Sequence, residues 1–89
     1  MDVTIKKFNE QDLKKMGVFA WPIWEKGVSK FDWHYDSQER CFFLEGRVVL
    51  ETGDGKRFEF GKGDFVTFAQ GLSCVWDIKE PVKKHYNFL

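Results

Sequence analysis

Trp33, Tyr35, Glu39, Cys74 and Trp76 are the residues of this sequence whose types and spacing could do chemistry. A carboxylate can hold a proton or orient a polar group, and a thiol can act as acid or nucleophile. Indole and phenol rings add flat apolar walls with one polar edge each. Side chains two apart share a face of an extended chain, so Phe31, Trp33 and Tyr35 point one way, as do Cys74, Trp76 and Ile78. Both faces are expected to point inward, with Glu39 entering the same interior from the next strand. An acidic side chain there must be hydrogen-bonded, paired or protonated, and Trp33 and Tyr35 each carry a donor for it. Trp33, Tyr35, Cys41, Phe43, Trp76 and Ile78 could also simply fill a small barrel. Glu39 is the residue that a filled interior does not explain.

The same residues argue against a metal. An indole offers only an N–H, and Tyr35 and Cys74 would have to lose protons that ordinarily leave at about pH 10 and about pH 8.5. No metal and no other cofactor is expected. His34 alternates to the face opposite Trp33 and Tyr35, which makes it a surface or interface residue. His85, in Lys84-His85-Tyr86, reads as structural or exposed. Cys41 and Cys74 lack the close spacing of a zinc knuckle or redox pair and read as free thiols.

The elements that must position these residues are short strands. Val3 and Ile5 alternate with Thr4 and Lys6, and Asn9 then stands as the N-cap of one short helix or turn that Gly17 ends. Val18 to Lys26 is expected to be extended, since Pro22 biases its predecessor away from helix. From residue 27 the chain is a succession of alternating runs separated by turn residues, among them the break at Gly46, the hairpin signal Thr52-Gly53-Asp54-Gly55-Lys56, the turn Gly61-Lys62-Gly63-Asp64, and the break at Glu80-Pro81. Eight to ten short strands and at most one short helix make an all-β domain.

Composition sets the outer limits. Eighty-nine residues, 43% hydrophobic and 18% aromatic, suit one domain over 1–89 that builds its core without disulfides. Fourteen basic residues balance fourteen acidic ones, so no positive field invites nucleic acid. The doublets Lys6-Lys7, Lys14-Lys15 and Lys83-Lys84 read as solvated faces. No apolar run approaches the length of a membrane span and no signal pattern opens the chain, so a cytoplasmic protein without membrane contact is expected. Trp21-Pro22-Ile23-Trp24 carries more apolar surface than one edge segment buries, and a homodimer is expected from it.

The spacing of these residues resembles the cupin superfamily, in particular the small members related to ureidoglycine aminohydrolase and the ethanolamine-utilisation cupins. The first cupin motif is matched by Gly27, five residues, Trp33-His34-Tyr35, three residues, Glu39, six residues, Gly46. The second is matched by Gly63, five residues, Ala69-Gln70-Gly71, two residues, Cys74, three residues, Ile78. The resemblance implies a small antiparallel β-barrel, a jelly roll, with a pocket at Trp33, Tyr35, Glu39, Cys74 and Trp76. Its three histidine ligand positions are held here by Trp33, Tyr35 and Cys74, so the metal-dependent activities do not carry over. Three functions remain open. The first is a binding module for a small organic ligand, with an amine-bearing one favoured, stacked on Trp33, Tyr35 and Trp76 and oriented by Glu39. The second is a metal-free enzyme on a nitrogenous metabolite using Glu39 and Cys74. The third is an interaction protein with a filled barrel, which would expose Trp21 and Trp24.

Overall fold

The computed structural model describes residues 2–89. The N-terminal alternation forms β1 (Val3–Lys6), and Asn9 caps α1 (Glu10–Lys15) by accepting from the Asp12 amide at 2.8 Å. Acidic residues in the first turn of α1 and lysines in its last complement the helix dipole. Gly17, at φ 77°, then turns the chain into a single 3₁₀ turn, Val18–Ala20. The extended run expected from Val18 therefore starts later, as β2 (Ile23–Lys26). Fully buried Val18 packs in one cluster with Leu13 and Phe65, and anchoring it curls the chain before Pro22 straightens it.

The remaining strands are β3 (Ser29–His34), β4 (Glu39–Thr52), β5 (Arg57–Gly61), β6 (Phe65–Phe68) and β7 (Ser73–Phe88). Seven strands, rather than eight to ten, are found among the described residues, because β4 and β7 run through the breaks expected at Gly46 and Glu80-Pro81. These two long strands pair antiparallel from Glu39↔Phe88 to Thr52↔Cys74. The first half of β4 and the second half of β7 carry β6 with β1 on one side and β2 on the other, while the opposite halves carry β5 and β3. Two walls thus share the same two strands, which closes a jelly roll.

The fold of one wall over the other is made at Gly46. The register of β4 against β7 shifts between Phe43 and Val48, and Gly46 has φ 108°. A Cβ at this position would lie 2.6 Å from the Pro81 carbonyl oxygen and 2.8 Å from the Val82 Cα, so only glycine lets the strands cross so closely. The bulged stretch also changes which residues face inward on β4: Glu39, Cys41 and Phe43 before it, Val48, Leu50 and Thr52 after it. On β7 one alternation persists, with Cys74, Trp76, Ile78, Val82 and Lys84 all buried. The barrel core is built on Phe43, Val48, Leu50, Val66, Phe68 and Ile78, none of which is exposed.

Candidate functional site

The barrel end where β3 finishes and β4 begins is open. A cavity of about 500 Å³ lies between β2, β3 and the inward faces of β4 and β7. Its walls are aromatic: Trp24 from β2, Phe31 and Trp33 from β3, Tyr35 just beyond it, and Trp76, Tyr86 and Phe88 from β7. Phe31 and Trp76 lie nearly parallel, 12° apart with centroids 6.0 Å distant, and Trp24 meets Trp76 edge-on at 6.0 Å. Four charged residues join this lining, Glu39 and Lys84 deep within it and Asp32 and Lys26 at its exposed rim.

Glu39 is 4% exposed, and its partner is Lys84, whose Nζ lies 3.3 Å from Oε2. The same ammonium donates to Cys41 Sγ at 3.3 Å and sits 4.8 Å from the Trp76 ring centre and 4.9 Å from that of Trp24. A buried carboxylate and ammonium each lose several kcal/mol of hydration, and only close pairing with further polar or π contacts offsets that loss. The donor expected for Glu39 from Trp33 or Tyr35 is thus supplied by a lysine. The Tyr35 hydroxyl instead accepts from Trp76 Nε1 at 3.2 Å, and its ring stacks on Phe68 at 4.9 Å. Burial, followed by the Glu39 charge, pushes the Tyr35 phenol far above its ordinary range, so it stays protonated.

Four of the five sequence-selected residues, Trp33, Tyr35, Glu39 and Trp76, line this one cavity. Trp33 does so from the rim, 48% exposed, and is not the interior wall its alternation suggested, because β3 runs out at the open end of the barrel. Cys74 does not line the cavity. The register sets it opposite Trp33 and Thr52, close enough to act on the Tyr35 phenol, and it borders a shallow surface depression with Ser73 and His34. Burial pushes its thiol up to about 11, and burial also raises Cys41, against the lowering pull of Lys84.

Lys84 and Trp24 were missed. The doublet Lys83-Lys84 reads as solvated, yet Lys84 is 4% exposed. The signal was present in the alternation Val82, Lys84, Tyr86, whose neighbours on that face are apolar. Trp21 and Trp24 are half-buried, Trp21 beneath the Arg40 guanidinium and beside Phe65, and Trp24 against Trp76 and Lys84. The exposed apolar side chains of this stretch are Phe19 and Ile23. The histidines stand apart from the cavity: His34 Nδ1 is 2.8 Å from Ser73 Oγ on the surface, and buried His85 Nδ1 is 2.9 Å from the Trp21 carbonyl oxygen.

The donor set does not suit the metal ion that cupin barrels hold through histidines. Trp33 has no lone pair to give, Tyr35 already accepts from Trp76, and Cys74 lies off the cavity. Glu39 is engaged by an ammonium 3.3 Å away, which would repel a second cation. Among the described residues, no three His, Cys, Asp or Glu side chains gather closely enough to hold a metal.

A two-walled jelly roll with a cavity at one end of its shared strands defines a cupin. Residues 13–86 match the family described as EutQ-like cupin domain, and the chain belongs to that family. Its fold is similar to that of a DUF861 family protein from Thermotoga maritima, with 53% identity, 98% of this chain and 99% of that one covered, and a TM-score of 0.96. The Clostridium difficile EutQ protein shares the fold at 16% identity, with 97% of this chain and 66% of that one covered and a TM-score of 0.68. The beta-galactosidase GanA of Bacillus subtilis is 36% identical over 58 residues, which are 63% of this chain. The chain spans only 9% of that protein's length. No helix among the described residues is long and apolar enough to cross a membrane.

Proposed function

We propose that this cupin is a binding module that holds a small organic molecule in the cavity between β2 and β3. The single observation that carries the reading is a nearly buried Glu39–Lys84 ion pair in the wall of an aromatic cavity of about 500 Å³. A barrel built only to be filled gains nothing from two desolvated charges, since apolar side chains of similar volume stabilise as well or better by about 1–4 kcal/mol. The cavity is also within the size range of small-molecule sites, and its few polar groups converge in an apolar lining. Lys84 supplies the amine that the aromatic walls and Glu39 called for, so the molecule itself has no need to be an amine.

A thiol enzyme is less well supported. Cys74 is off the cavity, and a thiol raised to about 11 is protonated at neutral pH.

Trp24, Trp33 and Trp76 line the cavity and Trp21 does not, so intrinsic emission reports mainly on this site. Benzyl alcohol is a suitable first probe because it requires no charge partner. A ring of about eight non-hydrogen atoms gaining roughly 0.5 kcal/mol each gives a Kd of about 1 mM. A saturable change in emission, with a raised unfolding midpoint, is the expected result. No change in either quantity with any small ring compound would leave the barrel as a packed scaffold and remove the proposal.

A further inference from the structure

We infer that the molecule this cavity takes is a small planar carboxylate, met by Lys84 at the cavity floor; the inference rests on the cavity being a binding site. An ammonium has three protons to donate. Glu39 Oε2 takes one and Cys41 Sγ a second, each at 3.3 Å. The indole faces of Trp24 and Trp76 attract the charge without accepting a full hydrogen bond. One donor is therefore left unspent on a side chain that lines the cavity, where an arriving carboxylate oxygen would find it in a water-poor setting.

An amine entering the same cavity fares worse, because an ammonium has no lone pair to accept that proton. The Glu39–Lys84 pair is neutral as a whole, so its net charge favours neither sign and the unspent proton carries the choice. At the rim, Lys26 lies 5.2 Å from the Phe31 ring centre and is offset by Asp32 among the lining residues. The rim is thus balanced and the choice of ligand charge falls to the floor. The shape follows from the walls: Phe31 and Trp76, 12° from parallel, present flat faces against which a planar body packs.

The test compares benzoate, benzyl alcohol and benzylamine by titration of tryptophan emission at constant ionic strength. Benzoate is expected to bind about tenfold or more tighter than benzyl alcohol, as a charge-assisted hydrogen bond does relative to a neutral one, with benzylamine the weakest. Equal or tighter binding of benzyl alcohol or benzylamine would overturn the inference and leave the binding site intact. Binding of none of the three would remove the site itself. In the double variant Lys84→Met with Glu39→Leu, which orphans neither charge, benzyl alcohol binding is expected to persist and the preference for benzoate to vanish. A preference that survived there would shift the recognition to Lys26 and overturn the assignment to Lys84. The wild-type order decides the question even where the double variant does not fold.

Discussion

Removing Lys84 and Glu39 separately and together measures what the buried pair does for the barrel. Both side chains are about 4% exposed and 3.3 Å apart. Lys84→Met keeps most of the stem and deletes the ammonium, leaving a carboxylate walled in by rings. Breaking a buried pair this way costs about 3–5 kcal/mol. Glu39→Leu leaves the ammonium instead, but Lys84 keeps two indole faces within 5 Å and the Cys41 sulfur. Cation–π contacts of about 1–2 kcal/mol offset part of the loss, so about 2–3 kcal/mol is expected. The double variant should lie within about 1 kcal/mol of the wild type, because no charge is left orphaned. A domain of 89 residues has about 5–12 kcal/mol of stability, so each single loss is readable in urea unfolding at constant m-value. Two single variants that each lose less than about 1 kcal/mol would mean that water reaches both charges, and the account of the cavity floor would fall. Equal losses would remove the role given to Trp24 and Trp76.

Gly46→Ala should cost more than about 2 kcal/mol in urea unfolding, since the new Cβ meets backbone at 2.6 and 2.8 Å and the φ is positive. Gly55→Ala, at φ 83° with open space around it, should cost only about 1 kcal/mol; equal costs would count against the tight crossing at Gly46. Both thiols should resist a disulfide reagent at pH 8 in the folded protein and react together on unfolding, and rapid labelling of the native state would contradict their burial. Because folding raises both thiol pKa values above their ordinary value of about 8.5, their contribution to stability is complete below that pH and is lost as pH rises towards about 11, where Cys74 ionises in the fold. Stability that rises with pH over that window would reverse the sign of this reasoning. A homodimer at tens of micromolar is expected from the free edge of β2, where Ile23 is 49% and nearby Phe19 43% exposed. Sedimentation as a monomer, unchanged by Ile23→Lys, would count against it.

The parts of this protein legible in its sequence are those fixed by local rules. Asn9 and Gly17 bracket the helix, Gly55 makes the hairpin, and period-two alternation puts Glu39 and Trp76 inside. What was hidden depends on register between distant strands. Alternation gives Cys74 its buried face but not the wall it joins, and pairing with Thr52 and Trp33 leaves it out of the cavity lining. Lys84 was hidden by its type. A lysine is read as solvated unless a counter-charge is known to face it, and Glu39 faces it only once β4 and β7 are paired. Gly46 and Pro81 mislead in the same way, because the residues at which two strands cross closely look in sequence like residues that end a strand.

The sharing of β4 and β7 between both walls bears on the order in which this protein assembles. Neither wall can form as a stable half, since each is completed only by strands that also build the other, and unfolding should therefore be all-or-none. Within the β4–β7 pairing, Thr52 and Cys74 are the partners nearest in sequence, and Glu39 and Phe88 the farthest. Loop closure favours pairing that starts beside the first and advances towards the second. Glu39 meets Lys84 near the end of that advance, so the ion pair is desolvated only after most of the barrel exists to enclose it. Native-state hydrogen exchange should follow the same gradient, with slow amides around Leu50 and Trp76 and faster ones near Glu39 and Phe88. The β4–β7 pairing is in this sense loosest where Glu39 enters the cavity.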